Sequence, residues 1–425
     1  MKTVTIRLPY GEGHLEAEIP ERYLASVVEP REMASLEAPY EEMERSLVEP
    51  IGSSDLLELA DGSRNPCIIV SDSTRPTPSG LIVSSVLDTL NEAGVKDGAV
   101  SVIVATGLHR PSSGSELVER LGASVLKRVK PENHDAYDEA NLVDLGETSR
   151  GTPILVNRKV HESDLIIGDG YIEPHFFAGY TGGGKNILPG VSGFETVKAN
   201  HGAVMIDHPK ARAGILGGNP IYEDIVEGAR SGGLAFSINV TLNSRKQVSG
   251  VFSGGFEEAH RRGTEFLDDH VKVETKRTDI VIATNNGYPL DRDLYQAVKG
   301  MTVAEAAVHE GGVAIIASEC RDGVGHPLFR ELVERCDGPQ EILETIRTPG
   351  FFQLDQWEAQ VLARVLTRCH VICVTDGVES AVMEKMHIAP ARDMEDALSL
   401  AFNIVGGDPE IAVIPGGPST IPCVR

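Results

Sequence analysis

Three histidines stand in or just beyond segments that read as loops following apolar strands: His109 in ATGLHR, His175 in EPHFF and His201 in KANHG. Neutral imidazole is a general base near physiological pH and a ligand for nickel, copper or zinc. Their spacing matches no local metal-binding signature, and each taken singly reads as a structural histidine held by hydrogen bonds. Three on neighbouring sheet-end loops shift the balance, because ligands of open α/β sheets sit beyond the carboxyl ends of the strands. Arg75 lies between Thr74 and Pro76 in SDSTRPTPSG, where proline restricts the backbone. A guanidinium fixed there suits a carboxylate or phosphate, or else a salt bridge to Asp72.

Gly179 to Lys185 reads GYTGGGK, the spacing of a phosphate-cradling P-loop. The next residue is Asn186 rather than the Ser or Thr that holds Mg²⁺, and Pro189 stops a helix within a turn, which argues against a nucleotide triphosphatase. Tyr295, Gln296 and Lys299 fall on what reads as a helix opening after Pro289, with Tyr295 and Lys299 on one face. Trp357, the single tryptophan, reads as a core residue or a cover over a pocket.

The elements that must position these residues are short apolar runs alternating with amphipathic stretches, the pattern of parallel sheets covered by helices, so the fold class is α/β. Strands are expected at 66–71, 100–105, 165–168, 280–283, 313–317, 371–374 and 411–414, and alternating strand is expected within 1–20. Helices are expected at 81–93, 116–129, 256–270, 303–309, 356–366 and 394–402. The charged stretch VKVETKRTD, 271–279, reads as a domain boundary. Two α/β domains follow, 1–272 and 273–425, with mostly parallel sheets and an active-site cleft between them that closes about that hinge.

The 425 residues carry 39 Lys and Arg against 63 Asp and Glu, a formal charge of −24, which disfavours a nucleic-acid partner. The longest unbroken apolar run is five residues, 313–317, far short of the roughly 20 a spanning helix needs, so no membrane segment is expected. The first 20 residues lack the basic start and apolar stretch of a secretory signal, and six scattered cysteines are too few for a disulfide framework. A cytoplasmic protein with reduced thiols is the expectation.

Taken together, DSTRPTPS, ATGLHR, EPHFFAGYTGGGKNILPG, ANHG and GYPLDRDLYQAVKG, supported by SECRDGVGHPLF, resemble the nickel-pincer lactate racemase family of 2-hydroxyacid racemases and epimerases. The stretches occur in the family's order across about 72–329. The resemblance implies a nickel-bearing pyridinium mononucleotide held covalently by Lys185 through a thioamide, with His201 as the protein ligand to nickel. It implies His109 and His175 as the paired acid/base residues. Asp72, Arg75, Gly182, Gly183 and Gly184 would help hold the cofactor. Arg75, Tyr295, Gln296 and Lys299 would contact substrate, and Trp357 would edge the pocket. The bottom-up reading adds that three glycines in a row let backbone approach a cofactor closely, and that a sulfur–carbon–sulfur pincer closed by one imidazole gives the square-planar site that suits Ni(II).

Several family members carry Arg before the lysine, where this chain has Gly184. The resemblance further implies hydride transfer at C2, lactate as the default substrate, and cofactor maturation proteins as partners. Two other readings remain open at this level: a zinc-dependent hydrolase using His109, His175 and His201, and a carboxylate-binding protein clamping its ligand with Arg75 and Lys299. The sequence leaves the oligomeric state open.

Overall fold

The computed structural model describes residues 2–425. They form two compact α/β units, one spanning Glu32–Asp269 and one combining 2–31 with His270–Arg425.

In the Glu32–Asp269 unit a six-stranded sheet runs in the order Val248–Gly254, Leu234–Leu242, Ile166–Tyr171, Cys67–Ser71, Ser101–Ala105, Pro131–Asn133. All neighbours are parallel except the first pair. Side chains alternate across it. Ile68, Val70, Val102 and Val104 pack on one face against Ile82, Val83, Val86 and Leu87 of the helix Ser79–Glu92. Cys67, Ile69 and Ile103 pack on the other face with Val156 and Ile187. A parallel sheet covered on both sides must be apolar on both sides, which is why its strands are near-continuous apolar runs. Strand order reverses between Ile166–Tyr171 and Cys67–Ser71, and the loops leaving these two strands flank the crevice of this unit.

The second unit has a wholly parallel sheet in the order Ala389–Ala391, His370–Val374, Val308–Ala317, Thr278–Thr284, Ile411–Ile414, Leu24–Val27. The expected domain 1–272 is therefore not continuous. A hairpin, Thr3–Tyr10 paired with Gly13–Pro20, sends Ile6, Leu8, Ala17 and Ile19 into the core formed by Ile280, Ile282, Ile315 and Val413. At roughly 1.5–3 kcal/mol for each large aliphatic side chain buried, these contacts bind the first 31 residues to the second unit.

The division between the units falls at Asp269/His270, immediately before segment 271–279, the expected boundary. The helix Phe256–Val271 runs into it, and Lys272–Thr275 forms a strand parallel to Ile421–Val424. The helix expected at 303–309 is the later part of Leu294–Ala307, and Val308 already begins a strand. Among the described residues no helix is long and apolar enough to cross a membrane.

Candidate active site

Asp72 directly follows the strand Cys67–Ser71 and turns inward, 4% exposed. Its Oδ1 accepts the Thr74 backbone N–H at 3.2 Å and the Thr74 hydroxyl at 2.7 Å, and its Oδ2 meets His109 Nδ1 at 2.7 Å. Burial alone would push this carboxyl up. The hydrogen bond and charge of His109, with Thr74 and the Arg75 charge, outweigh burial and hold Asp72 below its ordinary range. Asp72 was expected at the cofactor, and its observed contacts make it the support of His109. Arg75 does not bridge to Asp72; its guanidinium donates to Glu173 Oε1 at 3.0 Å.

The His109 loop is tied to the lysine turn. Gly107, at φ +52°, donates its N–H to Gly190 O at 2.9 Å, and Gly190 N–H donates to Lys185 O at 2.9 Å. Lys185 itself lies half-buried in a short 3₁₀ turn, Gly183–Asn186. The glycines before it answer to the protein's own packing. A Cβ on Gly183 would sit 2.7 Å from the His260 ring, and one on Gly182 would sit 2.8 Å from Asn239 Oδ1. On Gly184 it would meet Ala229 Cβ at 3.0 Å and Ile225 Cγ2 at 3.1 Å. On the side a Cβ would occupy, these glycines meet the helix Pro220–Ser231, Asn239 and His260, so the protein's own packing by itself requires glycine there. An arginine before the lysine has no room here, and Gly184→Arg is expected to lower stability by about 1–3 kcal/mol, the usual cost of overpacking. Urea unfolding of the two proteins checks it.

His175 ends a two-residue strand, Pro174–His175, paired with Gly179–Tyr180. Its Nδ1 accepts the Ala178 N–H at 3.2 Å, and its ring lies against Phe176 and Phe177 at centroid distances of 5.1 and 4.5 Å. His201 follows the helix Phe194–Asn200, is buried, and meets the same Phe177 edge-on at 5.1 Å. Burial first, then the charges of Lys185 and His109, push its imidazole down to about 3. It stays neutral, the form that ligates a metal.

These contacts put the two candidate acid/base rings in opposite states. His109 Nδ1–H donates to a carboxylate, so its Nε2 carries the lone pair of a base. His175 Nδ1 accepts, so a neutral His175 carries its proton on Nε2. Asp169 fixes the crevice beneath, accepting from Ser71 N–H and Oγ–H, each at 2.7 Å, and from Ser79 Oγ–H. Among the described residues no three His, Cys, Asp or Glu side chains converge to hold a metal ion.

The supports of the lysine turn carried no sequence signal. Asn239, inside the strand Leu234–Leu242, accepts Gly183 N–H at 2.8 Å, and His260, inside the helix Phe256–Val271, meets Thr181 O through Nε2 at 2.9 Å. Burial lowers His260 to about 4. Its folded value lies below the ordinary 6.5, so the stability it contributes is full above pH 6.5 and drains away as pH falls towards 4, by on the order of 3 kcal/mol. Thermal midpoints between pH 7 and 4 should fall more steeply for the native protein than for His260→Gln.

In the second unit Tyr295, Gln296 and Lys299 occupy the first turns of Leu294–Ala307, capped by Asp293, whose Oδ1 accepts Gln296 N–H at 2.8 Å. Lys299 Nζ donates to Gln296 Oε1 at 2.6 Å. Trp357 Nε1–H donates to the Tyr295 hydroxyl oxygen at 3.1 Å.

One α/β unit thus carries two histidines in opposed tautomers, with the Lys185 and His109 charges felt at a buried neutral imidazole, His201. Comparison with known proteins gives this chain its family. A model of the lactate racemase N-terminal domain matches residues 10–214, and one of the lactate racemase C-terminal domain matches 273–422. The chain is 38% identical over 420 residues to a lactate racemase from Thermoanaerobacterium thermosaccharolyticum, covering 98% of each chain. It is 40% identical over 423 residues to one from Lactiplantibacillus plantarum, covering 97% of this chain and 98% of that one. The solved lactate racemase apoprotein from T. thermosaccharolyticum superposes with a TM-score of 0.95 at 38% identity, over 99% of this chain and all of that one. A Thermotoga maritima protein at 18% identity, with a TM-score of 0.67 over 91% of this chain and 98% of its own, shares the fold. The chain belongs to the lactate racemase family. It is an isomerase, a racemase of a small-molecule substrate.

Proposed function

We propose that this racemase inverts C2 of a 2-hydroxyacid, lactate by default, with a nickel-pincer pyridinium mononucleotide attached at Lys185. The observation that carries the reading is the pairing of oppositely poised imidazoles, His109 on Asp72 and His175 on Ala178 N–H. The residues fit the cofactor: Lys185 offers an amine for a thioamide, and His201 offers a buried imidazole that stays neutral. When bound, the cofactor supplies an acceptor for the hydrogen on C2.

His109 Nε2 takes the hydroxyl proton of one enantiomer, and the resulting imidazolium is stabilised by the Asp72 carboxylate. His175 serves the other enantiomer, whose hydroxyl points the opposite way: as a base it takes the tautomer with the proton on Nδ1, giving up the 3.2 Å contact from Ala178 N–H and freeing Nε2. Phe176 and Phe177 pack against the His175 ring and fix its position. Tyr295, Gln296 and Lys299 orient the substrate carboxylate, with Trp357 at the pocket edge, and Arg75, steadied by Glu173, serves cofactor or substrate. The protein acts in the cytoplasm, where maturation proteins load it. The hydrolase reading is not favoured, because the relatives are racemases.

The test is protein made with the cofactor maturation system, given L-lactate and followed by chiral chromatography and intact mass. D-lactate should accumulate to parity, with an adduct on Lys185. An adduct-free zinc protein would overturn the reading, as would loaded protein inert towards 2-hydroxyacids.

A further inference from the structure

The second unit holds a pair of titratable residues to which no role has been given so far. His326 and Asp355 lie beside the Tyr295 ring. The His326 imidazole stacks on Tyr295 with centroids 3.7 Å apart and planes 6° from parallel, and its Nδ1 meets Asp355 Oδ2 at 3.0 Å. Asp355 Oδ1 accepts the Tyr295 hydroxyl at 3.3 Å, and that hydroxyl's oxygen in turn accepts Trp357 Nε1–H. The phenol therefore spends its proton on Asp355, and four side chains form one chain of contacts: His326, Asp355, Tyr295, Trp357.

The backbone is arranged around this chain. Asp355 adopts φ +67°, the left-handed region a non-glycine residue enters at a cost of about 1 kcal/mol or more. Gly325, at φ +86°, passes so near Asp293 that a Cβ would touch the carboxyl at 2.9 Å. Leu294 and Tyr295 N–H donate to Gly323 O and Val324 O, both at 3.0 Å, which clamps the His326 loop to the first turn of the Tyr295 helix. Strain kept at one end of a hydrogen-bonded chain, and a glycine kept at the other, point to a function for the geometry they hold.

We propose that His326 and Asp355 are positioning residues that fix the Tyr295 ring and the Trp357 indole as the wall of the substrate pocket. This rests on the reading that the Tyr295–Lys299 helix end meets the substrate carboxylate. Asp355, Asp293 and Lys299 are the charged groups facing His326, and Glu358 lies behind Asp355 and close to Lys299. Burial alone would lower His326, but the bond to Asp355 and the charges of Asp355 and Asp293 outweigh burial and the opposing Lys299, and its net shift is upward. The imidazolium form binds Asp355 as an ion pair and holds the wall. Raising pH through the histidine range weakens that bond.

Because Trp357 is the only tryptophan, its emission reports this chain of contacts in protein without cofactor. Native emission should titrate with a midpoint above the ordinary histidine value of about 6.5. His326→Phe, which keeps a stacking ring, should lose that transition, and Asp355→Asn, which suits the left-handed backbone, should move it down. In loaded protein both variants should raise the KM for lactate about tenfold, the loss of one charge-assisted hydrogen bond, with kcat within about threefold of native. A native transition that survives in His326→Phe overturns the proposal, and so does an unchanged KM in both variants. Emission is read without turnover, so failure of the racemase reading would show in the native assay alone and leave the emission result standing.

Discussion

Lys185→Ala should leave no racemisation above background, even when the protein is made with the full maturation system. On the proposed reading the amine is the attachment point, on a turn packed against Asn239, His260 and the Pro220–Ser231 helix. Intact mass should show the bare chain. His201→Ala should differ in kind, keeping the adduct while losing nickel, which metal analysis of the same samples resolves. Both variants should remain folded, since Lys185 is half-buried on the surface of the sheet end and His201 follows the last residue of a short helix.

The second large effect concerns the two histidines. His109→Ala and His175→Ala should each lower kcat by roughly 10²- to 10⁴-fold, the usual worth of a positioned general acid or base. Each should do so in both directions of the reaction, because the base for one enantiomer is the acid for the other. Asp72 ties His109 to the sheet, whereas His175 is held by Ala178 N–H and two phenylalanines. Loss of His109 therefore leaves a buried carboxylate without its partner, and a drop in thermal midpoint should accompany it that His175→Ala does not share. Chiral assays from either enantiomer, beside melting curves, separate these outcomes.

The parallel strands were legible because burial on both faces demands unbroken apolar runs such as CIIV at 67–70 and IAVI at 411–414. The strand Leu234–Leu242 was missed because Ser237, Asn239 and Thr241 interrupt it. These polar residues are buried all the same, and Asn239 is satisfied by Gly183 N–H across a sequence gap no local pattern reveals. The contribution of the first 31 residues to the second unit was hidden for a similar reason: alternation predicts strand but not which core receives Leu8 and Ile19. At the site, the loops after strands announced themselves by their Gly, Pro and polar content. Their pairings did not. Arg75 was read against its neighbour Asp72, but the fold gives Asp72 to His109 and Arg75 to Glu173. His260 looked like any helical histidine, and its place under Gly183 is set wholly by packing.

Lactate deuterated at C2 tests the proposed route most directly. If hydrogen leaves C2 as hydride, is held out of contact with water and returns to the opposite face, the product enantiomer should keep most of its deuterium and racemisation should show a primary isotope effect. If deuterium instead appears in solvent at the rate of racemisation, the hydrogen leaves as a proton, and the hydride route is contradicted even with every residue named above proving essential.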